Sequence, residues 1–134
     1  MKKIAALLLL TLNLILAGCQ TVPPTPPSTK FAGIPAKDFI VTVTCSDPAT
    51  RFVGSIETDG VADHLIGMST GIYRVSGHEI ICEFKKTDAP GRLTLTVTSG
   101  NQSLGNSTTG ARFGGVRAEL FFVPPQERTL FTTF

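Results

Sequence analysis

Tryptophan is absent from the 134-residue sequence, and Tyr73 is its only tyrosine. Aromatic platforms that stack on sugars and aromatic anchors of protein interfaces are therefore scarce. The sequence also lacks a Gly-x-Ser-x-Gly nucleophile elbow. Its only histidines are His64 and His78, which leaves few nitrogen ligands for a metal. These absences predict a protein that is not an enzyme and that needs no cofactor.

The longest apolar run stands at the N-terminus and is too short for a permanent membrane span. Met1-Lys2-Lys3 is a cationic start, and only Thr11 and Asn13 interrupt the apolar residues 4–17. A transmembrane helix needs about 20 apolar residues. A cationic start followed by a short apolar run is typical of a secretory signal. We predict a signal peptide over residues 1–18.

The segment Leu16-Ala17-Gly18-Cys19 resembles the lipobox of bacterial lipoproteins. The resemblance implies a diacylglycerol on the Cys19 thiol, cleavage before Cys19 and a fatty acyl chain, such as palmitate, on the new amino group. Two or more chains hold a protein firmly on a membrane, whereas one binds reversibly. Gln20 stands where Asp favours retention in the inner membrane, so the outer membrane is the expected destination in a Gram-negative cell.

The net charge of the predicted mature chain is balanced. The formal charge of +2 comes from Lys2 and Lys3, which leave with the signal. Ten basic and ten acidic residues remain. This balance gives no electrostatic reason to expect a nucleic acid partner.

Residues 19–36 are predicted to be a lipidated, proline-rich linker. Paired prolines at positions 23–24 and 26–27 favour an extended polyproline II conformation. The segment carries few apolar side chains, so we expect it to contribute nothing to folding. The remaining residues, 37–134, have the size of one domain.

Residues 37–134 are predicted to be all-β, because short segments alternate apolar and polar side chains and no long segment has helical spacing. The expected strands are 38–45, 51–58, 71–76, 78–86, 115–124 and 128–134, and segment 91–109 is expected to be a hairpin. The segment 91–109 is expected to turn at Ser99-Gly100-Asn101, and Gly77 to form a tight hairpin. Polar residues 106–110 are expected to be an exposed, mobile turn. The predicted fold is a single small antiparallel β-sandwich or barrel.

The first half of this domain resembles the PEGA-type module, a transthyretin-like β-sandwich of bacterial envelope proteins. The shared residues are Ser46-Asp47-Pro48, Asp59-Gly60, Gly67 and Gly77-His78. The Pro-Glu-Gly-Ala sequence itself is absent, and Met68-Ser69-Thr70 stands where the family has Thr-Pro. The resemblance implies a sandwich and a role in interactions outside the cytoplasm.

Two loops contain candidate ligand-binding residues. Asp59, Asp63 and His64 could ligate a metal, although Asp59-Gly60 already forms a turn signal, and we predict no metal site. In segment 110–119, Arg112 and Arg117 flank a glycine-rich turn that could hold a carboxylate or phosphate. The alternative for that segment is a glycine bulge with both arginines in solvent.

The segment 78–86 offers catalytic residue types without a catalytic arrangement. His78 and Glu79 are neighbours on a predicted strand, so they point to opposite faces and cannot act as base and orienter. Glu79 and Glu83 share a face and are expected to form a solvated edge. We predict no catalytic residues.

Cys45 and Cys82 are predicted to form a disulfide. Once Cys19 is lipidated they are the only two thiols, and exported proteins keep disulfides. Alternation places both on apolar faces. The alternative is two separate buried thiols.

The expected function is that of a lipid-anchored structural or interaction module of the cell envelope. Its expected partners are the membrane, through Cys19, and an envelope protein or the cell wall. The alternative is a periplasmic lipoprotein that binds a small ligand or metal through the 110–119 or 59–64 loop.

Overall fold

The structure, a computed structural model, describes residues 29–87 and 90–134. The predicted signal peptide, Cys19 and residues 20–28 lie outside the described residues. No helix among residues 29–87 and 90–134 is long and apolar enough to cross a membrane. These residues form a 3₁₀ turn, Thr29–Phe31, and nine strands. The strands are β1 (Lys37–Cys45), β2 (Arg51–Thr58), β3 (Val61–Met68), β4 (Thr70–Gly77), β5 (Glu79–Lys86), β6 (Leu93–Ser99), β7 (Gln102–Thr109), β8 (Gly115–Val123) and β9 (Gln126–Thr133).

The strands form two antiparallel sheets that pack face to face, so the predicted β-sandwich is confirmed. One sheet has four strands in the order β4-β1-β6-β7, and the other has five in the order β3-β2-β5-β8-β9. All seven strand pairs are antiparallel. Alternating side chains of each strand enter the space between the sheets, as strand geometry requires.

The core is built from the apolar alternation that the sequence predicts. On β1, β5 and β6 the buried positions are Phe39, Val41, Val43 and Cys45, then Ile80, Cys82 and Phe84, then Leu93, Leu95 and Val97. Aromatic rings link the sheets: Tyr73 of β4 stacks on Phe84 of β5 with ring centroids 6.0 Å apart. Gly54 is a close-approach point, because a Cβ there would collide with the Phe84 ring.

The chain crosses from one sheet to the other at two single residues. One of these crossings shows that the tight hairpin predicted at Gly77 is wrong. Gly77 does not form a hairpin, because β4 and β5 belong to different sheets. His78 is the crossing residue there, and Ser69, with φ of 65°, is the crossing residue between β3 and β4. A glycine between two apolar runs fits either a hairpin or a sheet-crossing corner.

Two segments expected to be irregular are strands. Residues 61–68 form β3, the edge strand of the larger sheet. Residues 106–109, expected in a mobile turn, lie in β7, where Ser107 and Thr109 are buried. The polar composition of β7 is compatible with burial because its side chains find partners: Ser107 Oγ donates to the Thr132 carbonyl at 2.7 Å.

One end of the sandwich buries a lysine. Lys86 is only 1% exposed, and its Nζ donates to the Gly91 carbonyl at 2.8 Å. Beside it, buried Thr50 donates its hydroxyl to the Pro90 carbonyl at 2.8 Å. Carbonyl oxygens of the β5–β6 loop therefore accept hydrogen bonds from polar groups at this end, which we call the Lys86 end.

The predicted disulfide is not present: Cys45 and Cys82 are both buried free thiols. Alternation places them on inner faces, but they lie at different levels. Cys45 ends β1 near the Lys86 charge, whereas Cys82 lies four residues before Lys86, about 13 Å along β5. Burial raises the pKa of Cys82 to about 12, and burial also raises the pKa of Cys45.

Candidate functional site

The best-connected polar cluster lies at the opposite end of the sandwich, around the turn between β2 and β3. Asp59 and Gly60 have φ values of 50° and 89°, which is typical of a two-residue type I′ hairpin. Asp59 Oδ1 accepts the backbone N–H groups of His78 and Glu79, each at 2.8 Å. The turn therefore fastens the corner where the chain crosses from β4 to β5.

His78 completes this cluster from within the corner. The residue is 8% exposed, and its ring has Nδ1 3.0 Å from Asp59 Oδ2 and Nε2 2.8 Å from the Ile34 carbonyl oxygen. Both neighbours are acceptors, so the imidazolium form donates to both. Neither ring nitrogen is free for a substrate while these bonds are made.

The cluster shifts the ionisation of both its titratable members. The hydrogen bond to Asp59, followed by that to the Ile34 carbonyl, raises the pKa of His78 against the opposing effect of burial. Burial raises the pKa of Asp59, but hydrogen bonds from Glu79 and His78 outweigh it and lower that pKa. The geometry thus favours the charged forms of both groups, a carboxylate–imidazolium pair.

The segment just before β1 packs on this cluster. Phe31 is buried, and its ring stacks on His78 with centroids 4.4 Å apart. Lys30 Nζ lies 2.7 Å from Glu79 Oε2. Residues 30–36, which the sequence prediction places in the linker, thus contact the domain, and we call them the N-terminal strap.

The residues of the 59–64 loop are not brought together. Asp63 and His64 are neighbours on β3, so their side chains point to opposite faces, and both are exposed. Asp59 pairs with His78 and not with His64. Among residues 29–87 and 90–134, no group of three or more His, Cys, Asp or Glu side chains is placed to hold a metal.

The arginines of segment 110–119 do not form the anticipated anion cradle. Arg117 lies on the outer face of β8 and donates to Glu83 at 2.7 Å and to Glu119 at 2.9 Å. These two carboxylates raise the pKa of Arg117 and neutralise its charge. Arg112 lies in the turn before β8, with its guanidinium 5.3 Å from the centre of the Phe113 ring.

Glu79 and Glu83 lie on the outer side of β5, as the alternation predicts. However, β5 is the central strand of its sheet and not an edge. Lys30 pairs with Glu79, and Arg117 pairs with Glu83. Each carboxylate therefore has a cationic neighbour, and the pair has no acid–base arrangement.

A shallow groove of about 410 Å³ lies at one end of the smaller sheet. Its lining residues are Asp38, Phe39, Ile40, Arg74, Val75, Ser76 and Gly100. Neither Arg112 nor Arg117 belongs to it. A ligand site at segment 110–119 would need a concavity lined by those two arginines, and this groove is lined by other residues.

Exposed apolar side chains are concentrated at β3. Ile66 is 83% exposed and Met68 is 56% exposed, although both lie in a strand. Val53 of β2 lies directly opposite Ile66 on the same outer face and is also exposed. We call these three residues the β3 patch. Apolar patches at an unpaired sheet edge are typical of interaction surfaces.

The sequence prediction did not identify the His78 cluster or the β3 patch. A signal for the first was present, because His78 has the same parity as Ile80 and Cys82 and is thus expected to point inward. A buried imidazole requires polar partners. The β3 patch had no such signal, since the sequence of β3 does not alternate cleanly.

Comparison with known proteins adds no relative. No protein-family model matches the chain, and neither does any curated protein or solved structure.

Proposed function

We propose that the protein is a lipid-anchored interaction module of the cell envelope, without enzymatic activity. The Leu16-Ala17-Gly18-Cys19 sequence supports the anchor. The observation that carries the interaction role is the β3 patch, in which Val53, Ile66 and Met68 are exposed beside an unpaired strand edge. Such an edge is a ready template for another strand.

The alternative, a lipoprotein that binds a small ligand or metal, has less support. Its two candidate loops are used for internal contacts: Asp59 holds the His78 corner, and Arg117 is bound by two carboxylates. The outer-membrane location in a Gram-negative cell rests on Gln20 and belongs to the same proposal.

Mass spectrometry of the full-length protein, produced in a Gram-negative host and purified from membranes, tests the anchor. We expect the mature chain to begin at Cys19 and to carry both a diacylglyceryl group and an N-acyl chain. The Cys19→Ser variant should keep its signal peptide at this site and remain unacylated. An N-terminal peptide that begins before residue 19 in the unaltered protein, or a free Cys19 thiol, would contradict the proposal.

A further inference from the structure

The hydrogen-bond phase of the β2–β3 ladder shows which backbone groups of β3 are unpaired. Ser69 N donates to the Thr50 carbonyl at 3.0 Å, and the type I′ turn closes on Thr58 and Val61. Antiparallel ladders bond at every second residue. The odd-numbered residues of β3 therefore bond to β2. The residues whose N–H and C=O groups face the open edge are Ala62, His64, Ile66 and Met68.

Within residues 29–87 and 90–134, the β3 edge has few of the devices that usually prevent edge-to-edge pairing: the charged Asp63, on the same face as Leu65, is one, and the others are missing. Natural edges carry lysine or proline, a bulge, or a covering segment. β3 contains no Lys, Arg or Pro, and its register with β2 is unbroken. The other edges differ: β4 carries Arg74, the register of β7 shifts opposite Val97 and Thr98, and β9 bonds to β7 through Thr132.

We propose that β3 pairs antiparallel with β3 of a second copy of this chain, about a two-fold axis at Leu65. The pairing joins two five-stranded sheets into one sheet of ten strands. This inference rests on the proposed function of the β3 patch as an interaction surface and names its occupant. The residues 23–27 of the same chain are a poor occupant, because four of these five are prolines, which lack the N–H donor.

The register centred on Leu65 is the one that uses all four unpaired residues. It places Ala62 opposite Met68 of the second copy and His64 opposite Ile66 of the second copy. Each of the four resulting pairs exchanges two backbone hydrogen bonds. A register centred on His64 would set the two imidazoles against each other. One centred on Ile66 would leave Ala62 without a partner in β3.

The side chains also fit this register. A small residue lies opposite a long one at Ala62 and Met68, and no like charges are opposed, because Asp63 meets Gly67 of the second copy. The two β3 patches lie on the same outer face of the joined sheet. An edge contact of this kind is small, below about 1,200 Å² in total, so it is weak in dilute solution. Anchoring of both copies on one membrane raises their effective concentration.

Cysteine cross-linking of the mature, lipidated chain in phospholipid vesicles tests the proposal. In this register Leu65 faces Leu65 of the second copy as a non-hydrogen-bonded pair, with Cα atoms about 4.5 Å apart. That separation suits a disulfide. Leu65→Cys should therefore form covalent dimers under a mild oxidant about tenfold faster than Ile72→Cys, because pairing supplies an effective thiol concentration in the millimolar range. Ile72 is the control because it is exposed on a different edge strand.

A second pair of variants avoids any loss of packing at Leu65. Both Ala62 and Met68 are exposed. A mixture of Ala62→Cys and Met68→Cys proteins should cross-link between the two variants, and each variant alone should not.

Equal rates for Leu65→Cys and Ile72→Cys, together with no cross-link in the mixture, would overturn the proposal. Efficient homodimers of His64→Cys or Ile66→Cys would also overturn it, since they report another register. If no dimers form but Cys19 is acylated, the pairing proposal is wrong and the proposed lipid anchor still holds.

Discussion

The two ends of the sandwich each bury one basic side chain, but they do so with different partners. At the Lys86 end, the ammonium donates to a carbonyl of the loop between two strands of the domain itself. At the other end, His78 is held by the Asp59 carboxylate and by the Ile34 carbonyl of the N-terminal strap. Lys86 therefore binds a loop within the domain. His78 instead binds the N-terminal strap, the segment that leads to the predicted membrane anchor.

This difference indicates separate tasks for the two ends. At the Lys86 end, an almost fully buried ammonium donates to a backbone carbonyl. The His78 end combines an acid, an imidazole and an aromatic ring from the strap, and its contacts depend on protonation. Substitutions at the Lys86 end should therefore test packing, and those at the His78 end should test the attachment of the strap.

The largest effect is expected from Lys86→Ala. The change leaves a cavity beneath the end of β5 and removes a donor to the Gly91 carbonyl. We expect the free energy of unfolding, measured by urea denaturation, to fall by about 3 kcal/mol.

Lys86→Met is the matched control, because it keeps most of the side-chain volume and removes the charge together with its hydrogen bond to the Gly91 carbonyl. Replacement of a buried charged group by an apolar one of similar size is often close to neutral. We expect a loss of less than half of that seen for alanine. A loss in Lys86→Met as large as in Lys86→Ala would show that the ammonium hydrogen bond, and not packing, stabilises this end.

The alternation of side chains predicted much of the core but not the level at which residues meet. It placed Cys45 and Cys82 on inner faces correctly. However, a period of two says nothing about how far along the strands two residues lie, so the disulfide did not follow from it. Nor did the sequence show that Gly77 precedes a crossing between sheets, because the choice of sheet depends on contacts such as those of Asp59, which is distant in sequence.

The candidate site was predictable only in part for the same reason. Asp59-Gly60 was correctly predicted to be a turn, yet its carboxylate binds residues 19 and 20 positions away. β3 was missed because its outer face carries Ile66 and Met68, apolar residues where a solvated edge is expected to be polar. A departure from the expected pattern is characteristic of positions with a role beyond folding.

The next largest effect is expected from Phe31→Ala in the strap. Its ring is buried against His78, so truncation removes the aromatic contact and exposes the imidazole to water. We expect a loss of about 2 kcal/mol in the free energy of unfolding. Pro35→Ala, in an exposed residue of the same strap, should cost much less. If Phe31→Ala unfolds at the same urea concentration as the unaltered protein, the strap is not part of the folded domain, and the linker predicted for residues 19–36 extends to β1.

The smallest effect is expected from the protonation of His78. Its pKa is raised in the folded state by Asp59 and the Ile34 carbonyl, above an unfolded value of about 6.5. The resulting stabilisation is therefore complete below about pH 6.5 and is lost as the pH rises through the folded pKa. The charged groups around the ring are Asp59 from the β2–β3 turn, Glu79 from β5 and Lys30 from the strap.

Urea denaturation across pH 5.5–9 should show this decline in the unaltered protein and in His64→Gln, whose imidazole is exposed on β3. The decline should be absent in His78→Gln, because glutamine does not titrate. A decline of equal size in His78→Gln would mean that another group controls the pH dependence, and the attachment of the strap would then not depend on the imidazolium.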